Sequence, residues 1–94
     1  MLLMEKKKKI NLINGQFDAD GANEILMDLY TRNIQFNKVK NFSSQIRFGN
    51  DDLNALSRVQ QLKENLSTIE SIINEAKHLN KNLVINSFVE IKYE

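Results

Sequence analysis

Lys8, Ile10 and Leu12 alternate with Lys9, Asn11 and Ile13, a β-branched, period-2 stretch that predicts a strand over 7–16. Lys6 to Lys9 read as its solvated entry, and Asn14-Gly15 interrupts it either as a turn or as a bulge where glycine supplies a positive φ. Asp18 then has the character of a helix N-cap, because its carboxylate can accept orphan backbone N–H bonds. Asp20 adds a negative charge in the first turn, and Phe17 can staple onto Ala22. Ala22, Ile25, Leu26 and Leu29 follow the helical period, which predicts a first helix over 19–32 with Asn33 as a left-handed C-cap.

Ile34 and Phe36 open a second apparent strand. The alternation lapses over 37–41 and resumes as Phe42, Ser44, Ile46 and Phe48 against Ser43, Gln45 and Arg47. A half-buried antiparallel strand has this pattern. The lapse reads either as a turn between two strands or as a bulge in one long strand. Gly49-Asn50 ends it, and Asp51 or Asp52 caps the next helix. That helix carries Leu53, Leu56, Val59, Leu62, Leu66, Ile69, Ile73, Ala76 and Leu79, spaced 3, 4, 3, 4, 3, 3 from Val59 onward. This is close to a coiled-coil seam. Some 27 residues make a rod of roughly 40 Å, longer than a small sheet covers, so the free end is expected to pack on another chain. Asn80 to Asn82 end it. Leu83, Ile85, Ser87, Val89, Ile91 and Tyr93 then alternate with Val84, Asn86, Phe88, Glu90 and Lys92 as a last strand.

The fold class is therefore α+β: a small antiparallel sheet with two helices on one face and a long second helix. The order is β-α-β-β-α-β, ferredoxin-like, if 37–41 is a turn, and β-α-β-α-β if it is a bulge. No repeat or linker composition divides residues 1–94, so they read as one domain, with 1–6 expected to be disordered. Ser43, Gln45 and Arg47 would lie on the free sheet face or at an edge.

Lys plus Arg number 13 and Asp plus Glu 12, a net charge of +1 that offers no global attraction for nucleic acid or an acidic membrane. Cysteine is absent and there is one His, which excludes disulfides, thiolate chemistry and a His-rich metal site within one chain. Four apolar residues at 1–4 cannot make a signal core, and no run of 18 apolar residues occurs. A cytoplasmic protein is the default expectation. Asn, Lys and Ile supply 33 of the 94 residues. Their A/T-rich codons fit an A/T-rich bacterium or its phages.

The segment from Leu29 to Asn50 contains Arg32, Lys38, Lys40 and Arg47 and no acidic residue. At its centre Lys38, Lys40, Asn41, Ser43, Ser44, Gln45 and Arg47 can all donate to phosphate or carboxylate oxygens. Arg47 is the best single anchor because its guanidinium can grip an anion with two bonds. Phe42 or Phe48 could stack on a base. A solvated strand with ordinary surface cations is the plainer alternative.

Ile13-Asn14-Gly15-Gln16-Phe17, the acidic cap with its helix, and Lys40-Asn41-Phe42-Ser43-Ser44-Gln45-Ile46-Arg47-Phe48-Gly49 resemble a pattern in small uncharacterised bacterial proteins, of phage or mobile-element type, that continue with a long charged helix and a final strand. The resemblance spans most of 10–92. It implies a family module and carries over no activity and no site residue.

Other candidates weigh less. His78 sits in the last turn of a helix, where it complements the dipole. Asp51 and Asp52 precede a helix and read as caps before they read as Mg²⁺ ligands. Ser43 and Ser44 have no His nearby in sequence, and the three glycines lack phosphate-loop spacing. An enzyme is not expected, and neither is a cofactor or a metal. The leading expectation is a homo-oligomeric binding module, self-associating through helix 53–79, that sequesters or senses a phosphorylated small molecule such as a nucleotide through 38–48. A nucleic-acid-binding protein and a protein-interaction or inhibitor module are the alternatives, with no membrane partner in any of them.

Overall fold

The computed structural model describes residues 7–94. It contains four elements: β1 (Lys7–Phe17), α1 (Ala19–Phe48), α2 (Leu53–Leu79) and β2 (Leu83–Lys92). The order is β-α-α-β, with one two-stranded antiparallel sheet. Both sequence-based alternatives, the ferredoxin-like β-α-β-β-α-β and the bulged β-α-β-α-β, are overturned at the same place. Residues 34–48 form no strand; they continue α1, which runs for 30 residues instead of ending at Asn33. The expected disorder of 1–6 lies outside the described residues.

The reason is length matching. α2 presents Ala55, Val59, Leu62, Leu66, Ile69, Ile73 and Ala76 at 4, 3, 4, 3, 4, 3 spacing, all buried or half-buried. A seam of that length needs a partner of about 32 Å. Nothing between Gly21 and Gly49 breaks a helix, because the chain has no proline and no other glycine in that interval. α1 therefore extends along the whole of α2 as an antiparallel partner. Its facing row in the outer half is Ile34, Asn37, Asn41 and Ser44, all half-buried. The asparagines there satisfy their own amides. Asn33 Nδ2 donates to the Leu29 carbonyl and Asn37 Nδ2 to the Asn33 carbonyl, each at 2.9 Å.

The helix ends follow elementary capping chemistry. Asp18 accepts from the Gly21 N–H at 2.7 Å, as expected from sequence. Gly49 at φ 72° closes α1, its N–H donating to the Gln45 carbonyl. Asp52 caps α2 by accepting from the Ala55 N–H at 3.0 Å, and Asn80 closes α2 in the left-handed region at φ 54°.

The helical hairpin returns the chain to its start, so β2 lies against β1. Phe17 faces Leu83, Gly15 faces Ile85, and Ile13 faces Ser87. Asn14-Gly15 pairs regularly. The irregularity falls instead between Asn11 and Ile13, where Leu12 is the extra residue of a bulge. The bulge keeps Ile10, opposite Val89, on the same face as Ile13; strict alternation would turn one of them outward. That face packs on the helices around Ala19, Ala22 and Ile73, with Phe17, Leu26, Ile69, Leu83 and Ile85 against them. The opposite face carries Lys7, Lys9, Asn14 and Gln16 beside Val84, Asn86, Phe88 and Glu90. There Lys9 Nζ lies 4.5 Å above the Phe88 ring, and Lys7 pairs with Glu90 at 3.5 Å.

The molecule is a thin plate, 49 × 44 × 15 Å between Cα extremes. Its radius of gyration is 17.2 Å. A compact chain of this length would have about 12 Å. Eight apolar residues are buried among those described, and four of them are alanines.

Candidate functional site

The seven residues picked out from sequence all lie on the outer half of α1, not on a free sheet face. Three of them are committed to the turn that joins α1 to α2. Asn41 Oδ1 accepts the Asp52 N–H at 2.6 Å, and its Nδ2 donates toward Asp51 at 3.4 Å. Gln45 Nε2 donates to the same Asp51 oxygen at 2.7 Å, and Ser44 Oγ donates to the Asn50 carbonyl at 2.9 Å. Two of these bonds satisfy the Asp52 N–H and the Asn50 carbonyl, backbone groups that a four-residue connection would otherwise leave to water, and the other two fix the Asp51 carboxylate. Asn41, Ser44 and Gln45 thus position the loop, and Asp51 is its hub.

The other four divide in two. At about 100° per residue, Lys40, Ser43 and Arg47 fall on one row of α1, while Lys38 points to another side of the helix. All four are exposed. Among the described residues, ion pairs occur only at Lys7–Glu90, Arg32–Asp28 and Lys77–Asp20, so Lys38, Lys40 and Arg47 face no carboxylate. Lys40, Ser43 and Arg47 on one exposed helix row can contact an anion from one side only. They do not enclose it.

The strongest feature of this segment is one the alternating pattern concealed. Phe36, Val39, Phe42 and Ile46, spaced 3, 3, 4, form an apolar stripe on the side of α1 turned away from α2. Their exposures are 67%, 51%, 59% and 68%. In the sequence-based reading Phe42 and Ile46 are core residues of a strand. On the helix they are surface residues. The same residues at helical spacing were the available signal, and the alternation of 42–48 outweighed it. The seam of α2, by contrast, is met by α1 of the same chain.

The remaining candidates are structural. Asp52 is a cap and Asp51 a turn acceptor. His78 is exposed in the last turn of α2 beside Lys77. Among the described residues no group of three His, Cys, Asp or Glu side chains is close enough to hold a metal ion, and no helix is long and apolar enough to cross a membrane. A surface depression of about 660 Å³ at the end of α2 is lined by Asn74, Glu75, Lys77, His78 and Leu79 and contains none of the seven residues.

No family model, no curated protein and no solved structure matches this chain.

Proposed function

We propose that this protein is a non-enzymatic, homo-oligomeric binding module whose subunit contact is the outer face of α1. The observation that carries the reading is the Phe36–Val39–Phe42–Ile46 stripe. Four large side chains at these exposures present on the order of 400 Å² of apolar surface per chain. That approaches the upper limit of what soluble monomers leave in one patch. Two such stripes with a polar margin reach the size of an ordinary subunit interface, about 1,200–2,000 Å² in total. The contact moves from helix 53–79, as the sequence alone suggests, to α1, because α1 already fills the α2 seam.

The ligand part of the reading is an anion, with a phosphorylated small molecule as the chemical class. Its support is the row Lys40, Ser43 and Arg47 beside the stripe, in a segment without acids. One chain supplies these donors from one side of the helix.

Native mass spectrometry of gently purified protein tests both parts. A mass of two or more chains of 10.9 kDa supports the association. Retained mass of nucleotide size that is lost on Arg47→Ala supports the anion site. A monomer at 100 µM by light scattering refutes the reading.

A further inference from the structure

We infer that two copies pair α1 against α1 in antiparallel fashion about a two-fold axis near Phe36. This rests on the self-association argued above and assigns its geometry. The outer side of α1 carries a second row, Ile25, Arg32, Phe36, Val39, Ser43 and Ile46, at 7, 4, 3, 4, 3 spacing from the sheet end of the helix to the turn. This row lies away from α2. Leu12 of the sheet lines one surface depression with Leu29, Tyr30 and Leu62, and the stripe from Phe36 to Ile46 is exposed along its length.

Charge decides the direction. Asp18, Asp20, Glu24 and Asp28 all lie at the start of α1 or at its cap, and Arg32, Lys38, Lys40 and Arg47 all follow them. Parallel pairing sets acid beside acid and cation beside cation along the whole contact. Antiparallel pairing moves each of these groups away from its own copy, brings Glu24 of one chain level with Arg47 of the other, and opposes the two helix dipoles. With the axis near Phe36, the two Phe36 rings meet at the centre and Ile25 of each copy faces Ile46 of the other. Val39 of each copy then lies level with the stem of Arg32 of the other, whose guanidinium is held by Asp28 of its own chain. An isologous contact of this kind closes at two subunits.

Cysteine is absent from the chain, so single introduced cysteines report cleanly. Phe36→Cys is expected to form a disulfide-linked dimer with itself. Ile46→Cys is expected not to, because the two positions stand about 30 Å apart along an antiparallel pair. A mixture of Ile25→Cys and Ile46→Cys chains is expected to link one to the other. Ile46→Asp changes an exposed side chain, so helicity by circular dichroism should be retained while the dimer dissociation constant rises at least tenfold. Self-linking of Ile46→Cys in a protein that remains dimeric overturns the antiparallel pairing and leaves the self-association standing. A dimer unaffected by Ile46→Asp overturns the assignment of the face. A wild-type chain that stays monomeric removes the reading beneath both.

Discussion

Asn41 separates the two roles proposed for the outer half of α1. If it belongs to a ligand site, replacing it costs affinity and leaves the fold alone. If it belongs to the turn, replacing it costs stability. The structure places its Oδ1 2.6 Å from the Asp52 N–H, which is partly buried and begins α2. Asn41→Ala removes that acceptor. A net hydrogen bond contributes about 1 kcal/mol, and an N–H left half-buried without a partner adds about another 1 kcal/mol. Alanine recovers roughly 0.6 kcal/mol because asparagine is a poor helix former. The expected net loss is about 1–1.5 kcal/mol. With a urea m-value of about 1 kcal/mol/M for a chain this small, the midpoint falls by about 1 M. Ser43→Ala is the internal control: Ser43 is exposed and makes none of the turn's bonds, so propensity alone operates and the midpoint holds or rises slightly. Both are measured at one protein concentration, low enough to keep the chain monomeric, since association through the row that contains Ser43 would stabilise the folded chain. An Asn41→Ala midpoint equal to that of Ser43→Ala would refute the turn role.

Other consequences follow from the same geometry. Leu62 is 4% exposed, and Leu62→Ala should cost about 2–5 kcal/mol by denaturant unfolding, whereas Leu53→Ala, at a site 75% exposed, should cost under about 0.5 kcal/mol. Gly49→Ala puts a side chain at φ 72° and should lower stability by about 1 kcal/mol, read as a lower thermal midpoint, even though nothing lies within 4 Å of the added carbon. Val39→Pro, in the interior of α1, should cost about 3 kcal/mol or more and reduce the 222 nm signal; retention of full helicity would contradict a helix through this segment.

Much of this fold is legible in the chain. The β1 alternation, the Asp18 cap, the α2 heptad, the Asn80 stop and the final strand all coincide with the structure, because each is a local signal with a local cause. The failure lies in 34–48. There Phe42, Ser44, Ile46 and Phe48 satisfy period 2, while Phe36, Val39, Phe42 and Ile46 satisfy the helical period, and local propensity does not choose between them. The inner row is disguised as well, since Asn37, Asn41 and Ser44 are polar where a seam is expected to be apolar. Two facts decide it: the absence of any breaker between Gly21 and Gly49, and the need of the seam of a 27-residue helix for a partner of matching length. The candidate site suffered the same fate. Its residue types suggested anion donors, but helical placement turns Asn41, Ser44 and Gln45 toward the turn and leaves Lys40, Ser43 and Arg47 as one open row.

The polar inner row and the apolar outer row of α1 have a common consequence. A hairpin whose inner contact in its outer half is Ile34, Asn37, Asn41 and Ser44 against Ala55, Val59 and Leu62 gains little from burial there. The larger side chains of the same stretch, Phe36, Phe42 and Ile46, contribute nothing while they face water. A single chain therefore holds this half of the helix pair by turn hydrogen bonds and a thin seam, and in the proposed dimer a second copy over the stripe would remove from water the apolar area that the seam does not supply. The proposed pairing covers the half of α1 that the isolated chain supports least, and on that proposal the order of residues 36–48 is coupled to dimer formation.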